Sequence, residues 1–288
     1  MRILISGGSG FIGQALAKVL QKRGDQVIIW SRKPKSESGW VSKLEEIKEP
    51  IDAVVNLAGA GIVDKRWTPE RKQLLRDSRI LTTKKLVDWV ASQDQKPSTF
   101  ISGSAIGYYG SQAEGALSEQ AAPVKGFTHQ LCADWEAEAM KADALGVRVC
   151  LIRTGVVLGA DQGALKKMLL PFKLGLGGPI ASGKQWMSWI HIEDEVNAIC
   201  WLLDQPSLKG AFNLTAPEPV RNELFSKTLA RVLNRPAFFT LPAITMKLML
   251  GEASELLLEG QCVMPNALID SGFQFRHARL ESALSSLL

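Results

Sequence analysis

The opening residues constrain this chain most. Met1-Arg-Ile-Leu-Ile-Ser6 is a short apolar run that leads straight into Gly7-Gly8-Ser9-Gly10-Phe11-Ile12-Gly13, and an amphipathic stretch follows. The order reads as strand, glycine turn and helix. Gly7 allows a tight turn with positive φ. Gly10 lets the backbone come close to a phosphate, and Gly13 lets the new helix pack on the strand. The unpaired N–H groups at the helix start, from Phe11 and Ile12 onward, face an anion with the helix dipole behind them. A dinucleotide pyrophosphate is the ligand this arrangement predicts.

Strand and helix signals then alternate. Strands are expected at 3–5, 26–30, 53–57, 99–102 and 147–154, and helices at 14–23, 69–79, 82–92 and 133–144. Helices of this length between strands imply right-handed crossovers and a parallel sheet. After Gly159 the pattern loosens. A glycine-rich loop at 174–179 precedes a short strand at 188–192, a helix at 193–203, a strand at 211–214 and a helix at 222–233. From Pro242 onward the chain reads as mainly helical. The expected fold is α/β: a Rossmann-type doubly wound parallel sheet with a smaller, mainly helical C-terminal lobe. Residues 1–165 form the nucleotide domain, 186–215 return to it, and 166–185 with 216–288 make the smaller lobe.

Composition narrows the partners. The chain is 46% hydrophobic and 22% charged, as expected of a soluble globular protein. A net charge of +5, spread without a basic run, gives no support for nucleic-acid binding and suits a small, anionic substrate. Cys132, Cys150, Cys200 and Cys262 are far apart, which argues for a reducing compartment and against a structural metal. The N-terminus does not read as a signal peptide, and no stretch approaches a membrane span, so a cytoplasmic protein without a membrane partner is expected. A homodimer is an expectation by analogy alone.

The second strand ends in Trp30-Ser31-Arg32-Lys33. An NAD site commonly places an acid here for the ribose 2′-hydroxyl. Arg32 instead offers a planar cationic fork, and Ser31 a hydroxyl, both suited to a 2′-phosphate. NADP is therefore the expected cofactor. Leu57, Ala58 and Gly59, at the end of the third strand, are small enough at Ala58 and Gly59 for the adenosine side to lie against the backbone.

At this point the chain resembles the short-chain dehydrogenase/reductase superfamily, in its extended, epimerase-like branch. The matching residues are Gly7 to Gly13, Asn56-Leu-Ala-Gly59, Ser102-Gly-Ser104-Ala105, Tyr109-Gly110, Arg153-Thr-Gly155 and Trp189-Ile-His191-Ile-Glu-Asp194. A narrower set is similar to the atypical "epimerase family protein" group: Asp64-Lys-Arg-Trp67, Ser78-Arg79, Phe127 to Glu136, Gly251 to Glu255 and Val263-Met-Pro265. The resemblance implies NADP binding, a distinctive C-terminal domain, and cofactor contacts at Ser102, Gly155 and Val156.

In the superfamily a serine, a tyrosine and a lysine four residues beyond it carry the chemistry. Ser104 matches the serine. The Tyr-x-x-x-Lys pair is missing: Thr128 stands at the tyrosine position and Cys132 at the lysine position. Neither supplies an acidic hydroxyl or a fixed positive charge. Tyr108, Tyr109 and His129 are the candidates to replace that relay, His129 because its reference pKa is near neutral. Cys132 reads better as packing than as a nucleophile. Lys65, Arg66 and Arg79 are candidate anion holders. His191 reads as structural, Asp194 as a helix cap, and Trp186 and Trp189 as candidates for lining the cleft. Two functions follow: hydride transfer on a small hydroxyl or carbonyl substrate at an atypical site, or a non-catalytic NADP(H) sensor.

Overall fold

The computed structural model describes all 288 residues. The chain runs β1 (Arg2–Ser6), α1 (Phe11–Lys22), β2 (Gln26–Trp30), β3 (Trp40–Val41), β4 (Ala53–Asn56), α2 (Pro69–Ala91), β5 (Thr99–Ala105), β6 (Gln112–Leu117), α3 (Phe127–Met140), β7 (Arg148–Thr154) and β8 (Val156–Leu158). It continues with α4 (Gly163–Lys173), β9 (Trp186–Met187), β10 (Trp189–His191), α5 (Ile192–Asp204), β11 (Gly210–Leu214), β12 (Val220–Arg221) and α6 (Asn222–Val232). The tail adds α7 (Ala243–Leu250), α8 (Glu255–Leu258), β13 (Gln261–Val263), α9 (Asn266–Asp270) and α10 (Leu280–Leu287).

Seven strands form one parallel sheet in the order β3-β2-β1-β4-β5-β7-β11. Both faces are covered, so the strands are apolar almost throughout. Ile3, Ile5, Val55, Ile101 and Ile152 pack with α1 and α5. Leu4, Val54, Phe100, Val149 and Leu151 pack with α2 and α3. The chain leaves β1 toward β2 and β3, then returns to the other side of β1 at β4. That reversal opens a crevice at the carboxyl ends of β1 and β4, where doubly wound sheets bind ligands.

A second core joins Leu165, Leu169 and Phe172 of α4 to Phe225 and Leu229 of α6 and Leu284 of α10. The chain after 216 is not confined to this lobe. β13 pairs in parallel with β6, and Leu268 and Phe273 are buried in the main core.

Several elements differ from expectation. The helices expected at 69–79 and 82–92 are one helix, α2, because no glycine or proline interrupts it after the Thr68 N-cap and Pro69. Its buried face shifts along its length, from Leu75 against Trp67 and Leu131 to Leu86, Val87 and Val90 against the sheet. α3 starts at Phe127, ahead of the expected 133, with Leu131 and Trp135 continuing its buried face at four-residue spacing. β6, β13 and α4 carry no local signal strong enough to have been expected.

Candidate active site

The glycine turn is built by close backbone approach. Gly7 has φ +74°, and a Cβ there would stand 2.6 Å from the Leu57 carbonyl carbon. A Cβ on Gly13 would stand 2.4 Å from the Gly7 carbonyl oxygen, so the helix is seated on its own turn. Gly10 is the N-cap of α1, provides no capping side chain, and no acid lies in the first turn. The leading amides of Phe11, Ile12 and Gly13 thus have no side-chain acceptor from the cap, which is the donor set an anion requires. The Phe11 ring is turned away and packed beneath the loop at Gly159 and Gly163, where added Cβ atoms would collide with it.

A cleft of ≈ 1060 Å³ lies over this turn and brings together Gly7, Gly10, Ser31, Arg32, Leu57, Ala58 and Gly59. Its far wall is α2, which contributes Lys85, with Trp30 also on the lining. No carboxylate pairs with Arg32 or Lys85, whereas neighbouring Lys84 is held by Asp88 at 2.8 Å. Lys85 is a candidate phosphate contact that sequence spacing could not supply, since it arrives from a helix more than fifty residues beyond Arg32. The acids on this lining, Glu70 and Asp77, are on α2, and Asp77 accepts a hydrogen bond from Gln73 at 2.7 Å.

Beneath the cleft is a buried polar floor. Ser6 donates to Asn56 (2.6 Å), Asn56 donates to Thr83 (2.8 Å), and the Trp135 indole donates to Thr83 (2.9 Å). Ser102, expected against the cofactor, belongs to this floor: its side chain is fully buried and accepts from Asn56 at 3.4 Å. The reason is strand alternation, which points Ser102 toward α2 with Phe100. α2 also pins the 57–60 loop, through Ser78 to the Ala60 amide (3.0 Å) and Arg79 to the Ala60 carbonyl (3.0 Å). Arg79 lies behind Gly59, 5.3 Å from the Trp135 ring centre, with no carboxylate partner; burial pulls its pKa down. Gly155 and Val156 do not line the cleft. Gly155 is where the chain passes against the Ser188 carbonyl, 2.5 Å from a Cβ placed there, and Val156 opens the strand that pairs with β10.

The expected catalytic residues separate into two groups. Ser104 is buried, and its hydroxyl donates to Glu136 at 2.6 Å. Glu136 is gripped from the other side by Arg153, with Nε and Nη2 each 2.9 Å from a carboxylate oxygen. Tyr109 has no exposed surface; its hydroxyl donates to Asn213 (2.7 Å) and accepts from Arg153 (3.1 Å). Burial raises the Tyr109 phenol's pKa against the pull of Arg153, which keeps it protonated. Both residues therefore sit inside a structural network; of the two adjacent tyrosines, Tyr109 packs and Tyr108 keeps exposed surface. Thr128 and Cys132 are covered by the turn after β5, where a Cβ on Gly107 would lie 3.2 Å from Thr128. Burial, then the charge of Glu136, pushes the Cys132 thiol up to about 12, so it is no thiolate nucleophile.

Tyr108 and His129 remain partly exposed. The Arg153 guanidinium lies 3.4 Å from the Tyr108 ring centre, and the Tyr108 and His129 rings meet edge to face at 5.3 Å. His129 Nδ1 is 2.6 Å from the Tyr108 carbonyl oxygen. A carbonyl can only accept, so Nδ1 carries a proton, and in the neutral imidazole the lone pair is left on Nε2.

The remaining candidates are structural. His191 caps α5, accepting from the Glu193 amide at 3.0 Å, and stacks on His277 at 3.7 Å. Burial, and then His277, lowers its pKa to about 4. Asp194 is not the cap; it accepts from the Arg276 and His277 amides at 2.9 and 2.8 Å and ties down the tail. Trp189 is fully buried and lines nothing, while Trp186 lies under Arg221 at 3.8 Å. Arg66 donates to the Met249 carbonyl at 3.0 Å at the end of α7, and Lys65 is exposed.

Comparison with known proteins finds relatives along the full length of the chain. The model of the NAD dependent epimerase/dehydratase family matches residues 3–215, and that of a domain of unknown function, DUF1731, matches residues 241–287. Epimerase family protein SH2119 of Staphylococcus haemolyticus is 40% identical, with 100% of this chain and 99% of that protein aligned. Epimerase family protein YfhF of Bacillus subtilis is 39% identical over 100% of this chain and 98% of its own. The crystal structure of human epimerase family protein SDR39U1 with NADPH superposes with a TM-score of 0.93 at 34% identity, covering 100% of this chain and 99% of that one.

Proposed function

The chain belongs to the NAD-dependent epimerase/dehydratase family, and from that premise we propose that it holds NADP(H) and transfers hydride to or from a small hydroxyl or carbonyl substrate. One observation carries the cofactor choice: the corner at Ser31 and Arg32 lacks any carboxylate, and Lys85 lines the same cleft. An acid there would repel a 2′-phosphate; two unpaired cations and a hydroxyl attract it. The amides opening α1 hold the pyrophosphate, and Leu57 to Gly59 receive the adenosine side. The human relative's structure contains NADPH, in agreement.

When bound, the nicotinamide supplies the hydride chemistry, and the protein supplies placement and proton transfer. Tyr-x-x-x-Lys is absent, so Tyr108 and His129 are the proposed proton-handling pair. His129 accepts at Nε2 while Nδ1 keeps its own proton, donated in a hydrogen bond to the Tyr108 carbonyl. Ser104, bound to Glu136, acts through position and gives no proton away. We place the protein in the cytoplasm.

A second reading rests on the same geometry. The Glu136–Arg153 pair occupies Ser104, and a turn covers Thr128 and Cys132, so tight binding without turnover describes a redox sensor. Titration with NADPH and NADH, followed by NADPH oxidation across carbonyl compounds and nucleotide sugars, separates the two. Preference for NADPH by at least about tenfold with turnover lost in His129→Gln supports the enzyme. Tight binding with no oxidation of any compound supports the sensor. Absence of binding heat with either coenzyme defeats both.

A further inference from the structure

We propose that the outer face formed by the end of α4, the 235–241 segment and α7 docks on an anionic lipid surface. Large apolar side chains are concentrated there: Leu170, Leu174, Phe238, Ile244, Leu248 and Met249 are all more than half exposed, Phe238 at 84%. On α7 only Met246 is buried, and Ile244 and Leu248 stand one turn apart on the outside. The two strips are joined. Arg235 donates to the Lys173 carbonyl at 3.0 Å, the Leu241 amide to the Pro179 carbonyl at 2.9 Å, and the Ala181 amide to the Leu241 carbonyl at 2.8 Å. Exposed apolar surface gathered on one face marks an interaction site; scattered residues do not.

Charge selects the occupant. No acidic residue occurs between Asp161 and Glu193, or between Glu223 and Glu252. The same segments carry Lys166, Lys173, Arg235 and Lys247, all exposed. Carboxylates within ion-pair distance of these segments go to Lys167, Lys227 and Arg231, leaving those four without a partner. Apolar side chains ringed by unanswered cations match the boundary between acyl chains and anionic headgroups. A second copy of this chain is disfavoured, because two-fold pairing of the face would set these cations against their own copies. No helix is long and apolar enough to cross a membrane, so the contact is peripheral. Exposure of these side chains is a property of the folded surface.

The test is sedimentation of the full chain with phosphatidylcholine vesicles, with and without phosphatidylglycerol. Binding is expected to the anionic vesicles, to weaken with added salt, and to be weak for phosphatidylcholine alone. Lys173→Glu with Lys247→Glu is expected to lower the anionic partition by at least about tenfold, and Phe238→Ser with Leu248→Ser to lower it independently. Both variants change exposed side chains, and an unaltered melting temperature and NADPH affinity identify folded protein. Equal binding to both vesicle types, or to neither, overturns the proposal. So does a concentration-dependent dimer that Phe238→Ser with Leu248→Ser dissociates while vesicle binding is absent.

Discussion

Two side chains illustrate how position decides chemistry. Arg32 is exposed at the rim of the cleft with no acid to hold it, so its charge is available to a ligand. Arg32→Ala is expected to weaken NADPH binding by about tenfold or more while leaving NADH nearly unchanged, since a lost charge-assisted bond is worth roughly 1.5–3 kcal/mol. Fluorescence titration of the two coenzymes measures it. Glu195 is the opposite case. It is fully buried, Thr154 donates to one oxygen at 2.8 Å, and the other oxygen has no partner. Burial raises its pKa to about 8, against the pull of Thr154. An unfolded glutamate releases its proton near pH 4.3, so between about 4 and 8 the folded state binds more protons than the unfolded. Stability therefore falls as pH rises through that window, and the deficit is complete above it. Glu195→Gln should remove the slope: near level with the parent at about pH 4 and more stable at about pH 9, by an amount that approaches about 1.4 kcal/mol for each pH unit of the window. Melting curves across pH decide it; a parallel pair of curves refutes it.

At the scale of elements, the first strand, turn and helix combine two demands on glycine that can be separated. Gly7 has a positive φ and also presses on the Leu57 backbone, whereas Gly24 has φ +91° with nothing within 4 Å of a Cβ. Gly24→Ala is expected to cost only the left-handed penalty, about 1–2 kcal/mol, with cofactor affinity retained. Gly7→Ala adds a clash with backbone that cannot rotate away, so it should cost more than Gly24→Ala and abolish NADPH binding. Chemical denaturation with coenzyme titration distinguishes them. α2 shows a related effect. One uninterrupted helix lines the cleft with Lys85, supports its floor with Thr83 and pins its loop with Ser78 and Arg79. Each contact depends on the helix crossing β4 and β5 at one angle, fixed by Leu86, Val87 and Val90 in the core.

Across the whole molecule, the two matched regions are physically one body. Asn213 of β11 donates to the Met264 carbonyl at 2.9 Å, Glu119 accepts from the Ala267 amide at 3.2 Å, and Phe273 is buried in the main core. Truncation after Thr240 strips apolar contacts from both cores and exposes the faces they cover. It is expected to yield aggregated protein or one lacking a cooperative thermal transition, whereas the full chain melts in a single step; calorimetry of both forms checks this. What the amino-acid order determined alone is the nucleotide half. An apolar run, a glycine turn and a strand ending in Ser31-Arg32 are local patterns, set by steric freedom and burial within a few residues. The missing Tyr-x-x-x-Lys was legible in the same way, from Thr128 and Cys132 at fixed spacing. Tertiary structure alone decided the rest: Ser104 bound to Glu136, Tyr109 sealed against Asn213, Lys85 in one cleft with Arg32, and an apolar cationic face outside α4 and α7. Those arrangements join residues tens of positions apart. Helix and strand periodicity specifies which side of an element is buried, but the packing of elements chooses which neighbour that side meets.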